Sequence, residues 1–141
     1  MLYSYILVAV QFLTLVFLAW YGGILGDVLS NSLLALAGLI GLSAMITLRF
    51  RFNIVPDIRA DQVFLANGPY AFVRHPMYTA VLLAGLAWVG NRPDLTSLCA
   101  WLVLCIDLRL KLAYEERLLM ARFSGYVAYM ARTKRLIPWV Y

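Results

Sequence analysis

His75 is the only histidine in this chain of 141 residues, and it stands in the run Arg74-His75-Pro76-Met77-Tyr78. An acidic pair, Glu115-Glu116, comes later in the chain. A guanidinium, an imidazole, a phenol and two carboxylates can hold a ligand that carries both signs of charge, or they can move a proton. If a proton has to leave the reacting group, His75, Tyr78 or a glutamate is the candidate base. Pro76 suits the first turn of a helix, where free backbone N–H groups favour an anion. Each residue alone has a plainer reading. Arg74 is a membrane-side anchor, His75 is a hydrogen-bonded interfacial residue, and Gly68-Pro69 upstream is a turn. Asp107, Lys111 and Glu115 are spaced i, i+4, i+8, as in an ordinary salt-bridged stripe on a solvated helix. Glu115 and Glu116 lie about 100° apart on a helix. That spacing predicts that one faces a pocket while the other pairs with Lys111 or Arg109 on the turn behind.

The elements that must position these residues are apolar. Hydrophobic residues make up 64% of the chain and charged residues 13%, against about a quarter charged in a soluble domain. Mean hydropathy is +0.82. The composition predicts one all-α domain, residues 1–141, integral to the membrane. No charge occurs from Met1 to Gly26 or from Val28 to Leu48, and a span needs about 20 apolar helical residues. The first two spans are therefore expected at about 2–21 and 28–48. A cleaved signal would want a basic start and a small-residue cleavage site, and the N-terminal run has neither.

A third helix begins at Pro76 or just after, because the residue before a proline is pushed out of the α region. Its apolar part, about 77–90, reaches only about 21 Å at 1.5 Å per residue. A fourth, about 95–112, is uncharged only from Leu95 to Ile106 and then passes through Asp107, Arg109 and Lys111. Neither covers about 30 Å of hydrocarbon as a clean apolar cylinder. The polar start of the third and the charged end of the fourth should then share one side of the bilayer, around a polar pocket at the membrane boundary. This gives four transmembrane helices and a cytosolic C-terminal helical extension.

Of the twelve basic residues, all but Arg92 fall between Arg49 and Arg74 or from Arg109 onward. That asymmetry puts both termini in the cytosol and suits anionic membrane lipids as partners; nothing in the pattern suggests nucleic acid. Tyr3 and Tyr5 fit one interface, Trp20 and Tyr21 the other. Gln11, at membrane depth, should make a helix-to-helix hydrogen bond. Cys99 and Cys105 lie six apart in an apolar run, with neither metal nor disulfide spacing, and read as packing residues.

Gly68-Pro69-Tyr70, Arg74-His75-Pro76-x-Tyr78, Glu115-Glu116 with Leu118 or Leu119, Phe123, Tyr126 and Tyr129, and the ending Arg135-Leu136-Ile137-Pro138 together resemble the isoprenylcysteine carboxyl methyltransferase and phospholipid methyltransferase superfamily. The resemblance covers roughly Asn67 to Pro138 and is to the small prokaryotic type, in a bacterial or archaeal inner membrane. It implies S-adenosylmethionine as cofactor, no metal, and a lipophilic methyl acceptor. By it Arg74, His75 and Glu116 are catalytic, and His75, Pro76, Tyr78, Glu115 and Glu116 bind the donor with Met77 as apolar wall. Tyr126, Tyr129 and Arg132 would meet the acceptor; the two tyrosines equally suit an interfacial belt, and Arg132, Lys134 and Arg135 suit lipid-facing anchors. One departure is Ala80, where the superfamily has glycine. Its extra methyl group, with the Thr79 hydroxyl bonding back one turn, would leave the donor slightly displaced or resting on a different face of the third helix.

Two rivals remain at this level. Membrane sterol reductases, which use NADPH, look similar through His75-Pro76-x-Tyr78 but are much longer. A small four-helix transporter or assembly subunit would want an acid inside the first spans, where there is none.

Overall fold

The computed structural model describes residues 2–50, 55 and 65–141. Among them the chain is all-helical: α1 Leu2–Gly22, α2 Val28–Thr47, α3 Pro76–Asn91, α4 Leu95–Arg122 and α5 Tyr126–Arg132, with a 3-10 turn at Gly68–Ala71 before α3. The connection from α2 carries Arg51 and Arg59 of the expected cytosolic basic loop, and these lie outside the described residues.

The charges that interrupt the apolar runs start helices. Asp27 caps α2 by accepting from the Ser30 N–H at 2.8 Å. Asp94 forms a reciprocal capping box with Ser97 at the start of α4, each such cap contributing about 1 kcal/mol. Pro76 opens α3, as expected. α4 runs well past residue 112, because no glycine or proline occurs between Leu95 and Arg122. Its 28 residues span about 42 Å, so Glu115 and Glu116 ride on the same rigid rod as the apolar segment. α1 and α2 are long and apolar enough to cross a membrane.

α3 is the central helix, in contact with α1, α2 and α4. Small residues let it sit close, as in helix pairs within lipid. A Cβ on Gly85 would lie 3.0 Å from Trp101 Cδ1 and 3.1 Å from Leu104 Cδ2, and Gly22 abuts the Trp88 backbone. α1 and α4 run antiparallel: Tyr3 meets Tyr114 edge-on, Lys111 bonds Gln11, Leu18 packs in one core with Leu104 and Leu108, and Tyr21 donates to Asp94 at 2.7 Å. The starts of α1 and α3 and the ends of α2 and α4 thus lie at one end of the bundle.

Ala80 is buried against α2, where a Cβ on Gly41 would lie 3.4 Å from its own, so its methyl group packs between helices. Thr79 does bond back to the His75 carbonyl, at 3.3 Å, and it also donates to the Leu136 carbonyl at 2.8 Å, fastening the C-terminal tail to α3.

That tail folds back over the motif. Arg74 N–H donates to Lys134 O at 2.7 Å and His75 N–H to Arg135 O at 3.0 Å, with a parallel bridge between Val73 and Lys134. At the other side of the motif Gly68 takes φ +57°, with a would-be Cβ only 2.7 Å from Thr47 Oγ1. Only glycine fits that turn without strain.

Candidate active site

Glu116 is the hub. Its side chain is 3% exposed. Arg74 Nε donates to Oε1 at 2.7 Å, while Arg135 Nε and Nη2 both approach Oε2 at 3.0 Å. Arg74 Nη1 also donates to the carbonyls of Met130 and Thr133, so one guanidinium ties the motif to α4, the end of α5 and the tail. Burial works to raise the Glu116 carboxyl, but His75 and Arg74 more than offset it and hold it at about 2.

Glu115 and Glu116 do not diverge as the helical wheel predicts. Both reach the His75 ring, because it lies over the gap between them. Glu116 Oε1 is 3.4 Å from Nε2 and Glu115 Oε2 is 3.8 Å from Nδ1. These are ion-pair distances, and the buried Nε2 has no hydrogen-bond partner among the described residues. Tyr78 stacks on the imidazole, with centroids 5.3 Å apart and planes 8° apart, and its hydroxyl donates to Glu115 Oε2 at 2.9 Å. Glu115 is 23% exposed, so of the two acids it is the one that a ligand can reach. The Tyr78 and Thr79 N–H groups both bond to the His75 carbonyl, which leaves less of the Pro76 end of α3 free for an anion than expected.

Tyr126 and Tyr129 are packed inside, at 2% and 3% exposure, in a cluster with Leu119 and Phe123. They do not form an exposed interfacial belt. Tyr129 donates to the Tyr70 carbonyl at 2.6 Å, bracing the turn before the motif. Burial pushes the Tyr129 phenol up to about 12 and raises Tyr70 and Tyr126 as well, so all three stay protonated at neutral pH and are not bases. Arg132 ends α5 exposed to solvent and takes no part in the Glu116 cluster. Arg135, expected as a lipid-facing anchor, belongs to that cluster instead. Its place in the Arg135-x-Ile137-Pro138 ending was the available signal.

The stripe of Asp107, Lys111 and Glu115 is not a solvated salt-bridged face. Asp107 is 4% and Lys111 1% exposed, because this side of α4 packs on α1 and α3. Lys111 Nζ donates to Gln11 Oε1, the helix-to-helix bond foreseen for Gln11.

A family model described as phospholipid methyltransferase matches residues 25–125. The chain belongs to that family. As a member of the phospholipid methyltransferase family, with two helices able to cross a bilayer, it is a membrane methyltransferase. The match spans α2 to α4 with the motif and both glutamates, leaving α1 and α5 outside it. A comparison with curated proteins finds no match.

Proposed function

We propose that the chain transfers a methyl group from S-adenosylmethionine to a lipophilic acceptor at the cytosolic boundary of the membrane. The observation that carries this reading is the half-open Glu115 carboxylate beside the His75 ring, whose Nε2 is buried without a hydrogen bond among the described residues. The donor's chemistry fits that edge. Glu115 accepts from its ammonium or ribose hydroxyls, Tyr78 keeps Glu115 in place, and the exposed part of Arg135 meets its carboxylate. Glu116, with both oxygens on arginines, acts as the fastening behind the site.

When bound, S-adenosylmethionine supplies an electrophilic methyl group on a sulfonium. The protein's part is positioning and exclusion of water. A carboxylate acceptor needs no base; for an amine or thiol, Glu115 or His75 takes the proton. Prenylcysteine, an aminophospholipid and a small hydrophobic thiol, phenol or amine all suit the site, and the family's description puts the phospholipid first. In this reading α3 and α4 complete four spans, with both termini in the cytosol of a bacterium or archaeon.

The test is transfer of a radiolabelled methyl group into total lipid and small-molecule extracts, with calorimetric titration of S-adenosylhomocysteine against NADPH. Label in an apolar product and binding of the homocysteine compound alone support the proposal. Binding of NADPH alone would return the reductase reading.

A further inference from the structure

We propose that Lys111 is a positioning residue for the donor site, and that Gln11 on α1, a helix outside the family match, holds it there. The proposal rests on the donor reading above. Lys111 is almost wholly buried, and its ammonium stands 5.6 Å from the centroid of the Tyr78 ring while it donates to Gln11 Oε1. Tyr78 in turn carries its hydroxyl to Glu115 and stacks on His75. A continuous line of contacts therefore runs from α1 through α4 to both donor-facing groups.

The chemistry of this line favours a directing role. An ammonium in an apolar setting is costly unless its charge is met, and the face of an aromatic ring is one of the few apolar surfaces that attract it. Asp107 and Glu115 lie one turn to either side of Lys111 on its own helix. Neither oxygen of Asp107 makes a hydrogen bond among the described residues, so the ammonium is aimed toward α1 and the Tyr78 ring. Gln11 fixes the end of a flexible four-carbon stem, and the fixed charge holds the ring in the plane that points its hydroxyl at Glu115.

The experiment uses the full chain in lipid nanodiscs, measuring S-adenosylhomocysteine affinity by calorimetry and thermal unfolding in parallel. Lys111→Met should unfold at a lower temperature, since it leaves the buried Asp107 without the cation one turn away and Gln11 Oε1 without its donor. Assayed well below that temperature, it should weaken S-adenosylhomocysteine at least fivefold. Gln11→Leu should act in the same direction with a smaller loss. In a Tyr78→Phe background either change should weaken binding much less, because most of their effect passes through the phenol.

Losses that add fully to that of Tyr78→Phe, or a Lys111→Met protein that binds like the unaltered one, would overturn the proposal. If Lys111→Met does not fold, the Gln11→Leu and Tyr78→Phe pair decides by the same criterion. Tyr78→Phe with unaltered affinity would bring down the donor reading and this proposal together. A weakened Tyr78→Phe beside an unaffected Lys111→Met would overturn the proposal alone.

Discussion

Arg135 donates to Glu116 Oε2 at 3.0 Å, which is the oxygen that Arg74 leaves free. The contact joins the last motif of the chain to the C-terminal part of α4 and makes Glu116 a structural carboxylate. Its ordinary value is 4.5 and it is held at about 2. A carboxyl depressed in this way contributes stability in full above about pH 4.5 and loses it as pH falls toward 2. Thermal unfolding followed through that window should show the protein weakening, and Glu116→Gln should flatten the slope. Glu116→Ala, which leaves two guanidiniums facing a gap, should cost about 3–5 kcal/mol.

Donor binding should separate the two glutamates. Glu115→Gln is expected to weaken S-adenosylhomocysteine about tenfold, or about 1.4 kcal/mol, with little change in unfolding temperature, since Glu115 is partly exposed. Glu116→Gln should do the reverse. Calorimetry beside a melting curve on each variant checks the pair, and equal losses of affinity would show that both acids touch the donor.

Ala80→Leu should lower the unfolding temperature without lowering donor affinity, because the larger side chain meets Gly41. Overpacking of this kind costs about 1–3 kcal/mol. The exchange of both residues, Ala80→Gly with Gly41→Ala, should keep the α2–α3 contact close to normal. Weaker binding of S-adenosylhomocysteine to Ala80→Leu at unchanged stability would put the donor against this face of α3 after all.

Topology is open to single-cysteine labelling in intact cells, with Cys99 and Cys105 first replaced. Leu25→Cys, in the exposed turn between α1 and α2, should react with an impermeant thiol reagent from outside. Ser124→Cys, between α4 and α5, should be protected. Reaction of both positions from the same side would end the four-span arrangement.

The sequence made most of the helices readable because their signals are local. Pro76 starts one and uncharged runs mark α1 and α2, while the caps at Asp27 and Asp94 are local signals that the sequence reading did not use. The gathering of Arg74, His75, Tyr78, Glu115 and Glu116 was legible only through the motif, since spacing alone sends the two acids apart. What stayed hidden depends on contacts between distant segments. Nothing local says that the imidazole would bridge the two glutamates, that Arg135 would turn inward, or that Tyr126 and Tyr129 would be packed away. The same holds for Lys111, which reads as half of a surface ion pair until α1 is laid against it.

The placement of both arginines on Glu116 gives the site a polarity. Arg74, Arg135 and Glu116 together carry one surplus positive charge, and Glu115, across the His75 ring, carries one negative charge. The motif is therefore a fixed dipole whose two ends lie on opposite sides of an imidazole. A zwitterionic amino acid group laid along it gains attraction at both ends in one orientation and meets repulsion at both in the other. The arrangement thus fixes which way round such a ligand lies before any contact with its remaining atoms is made.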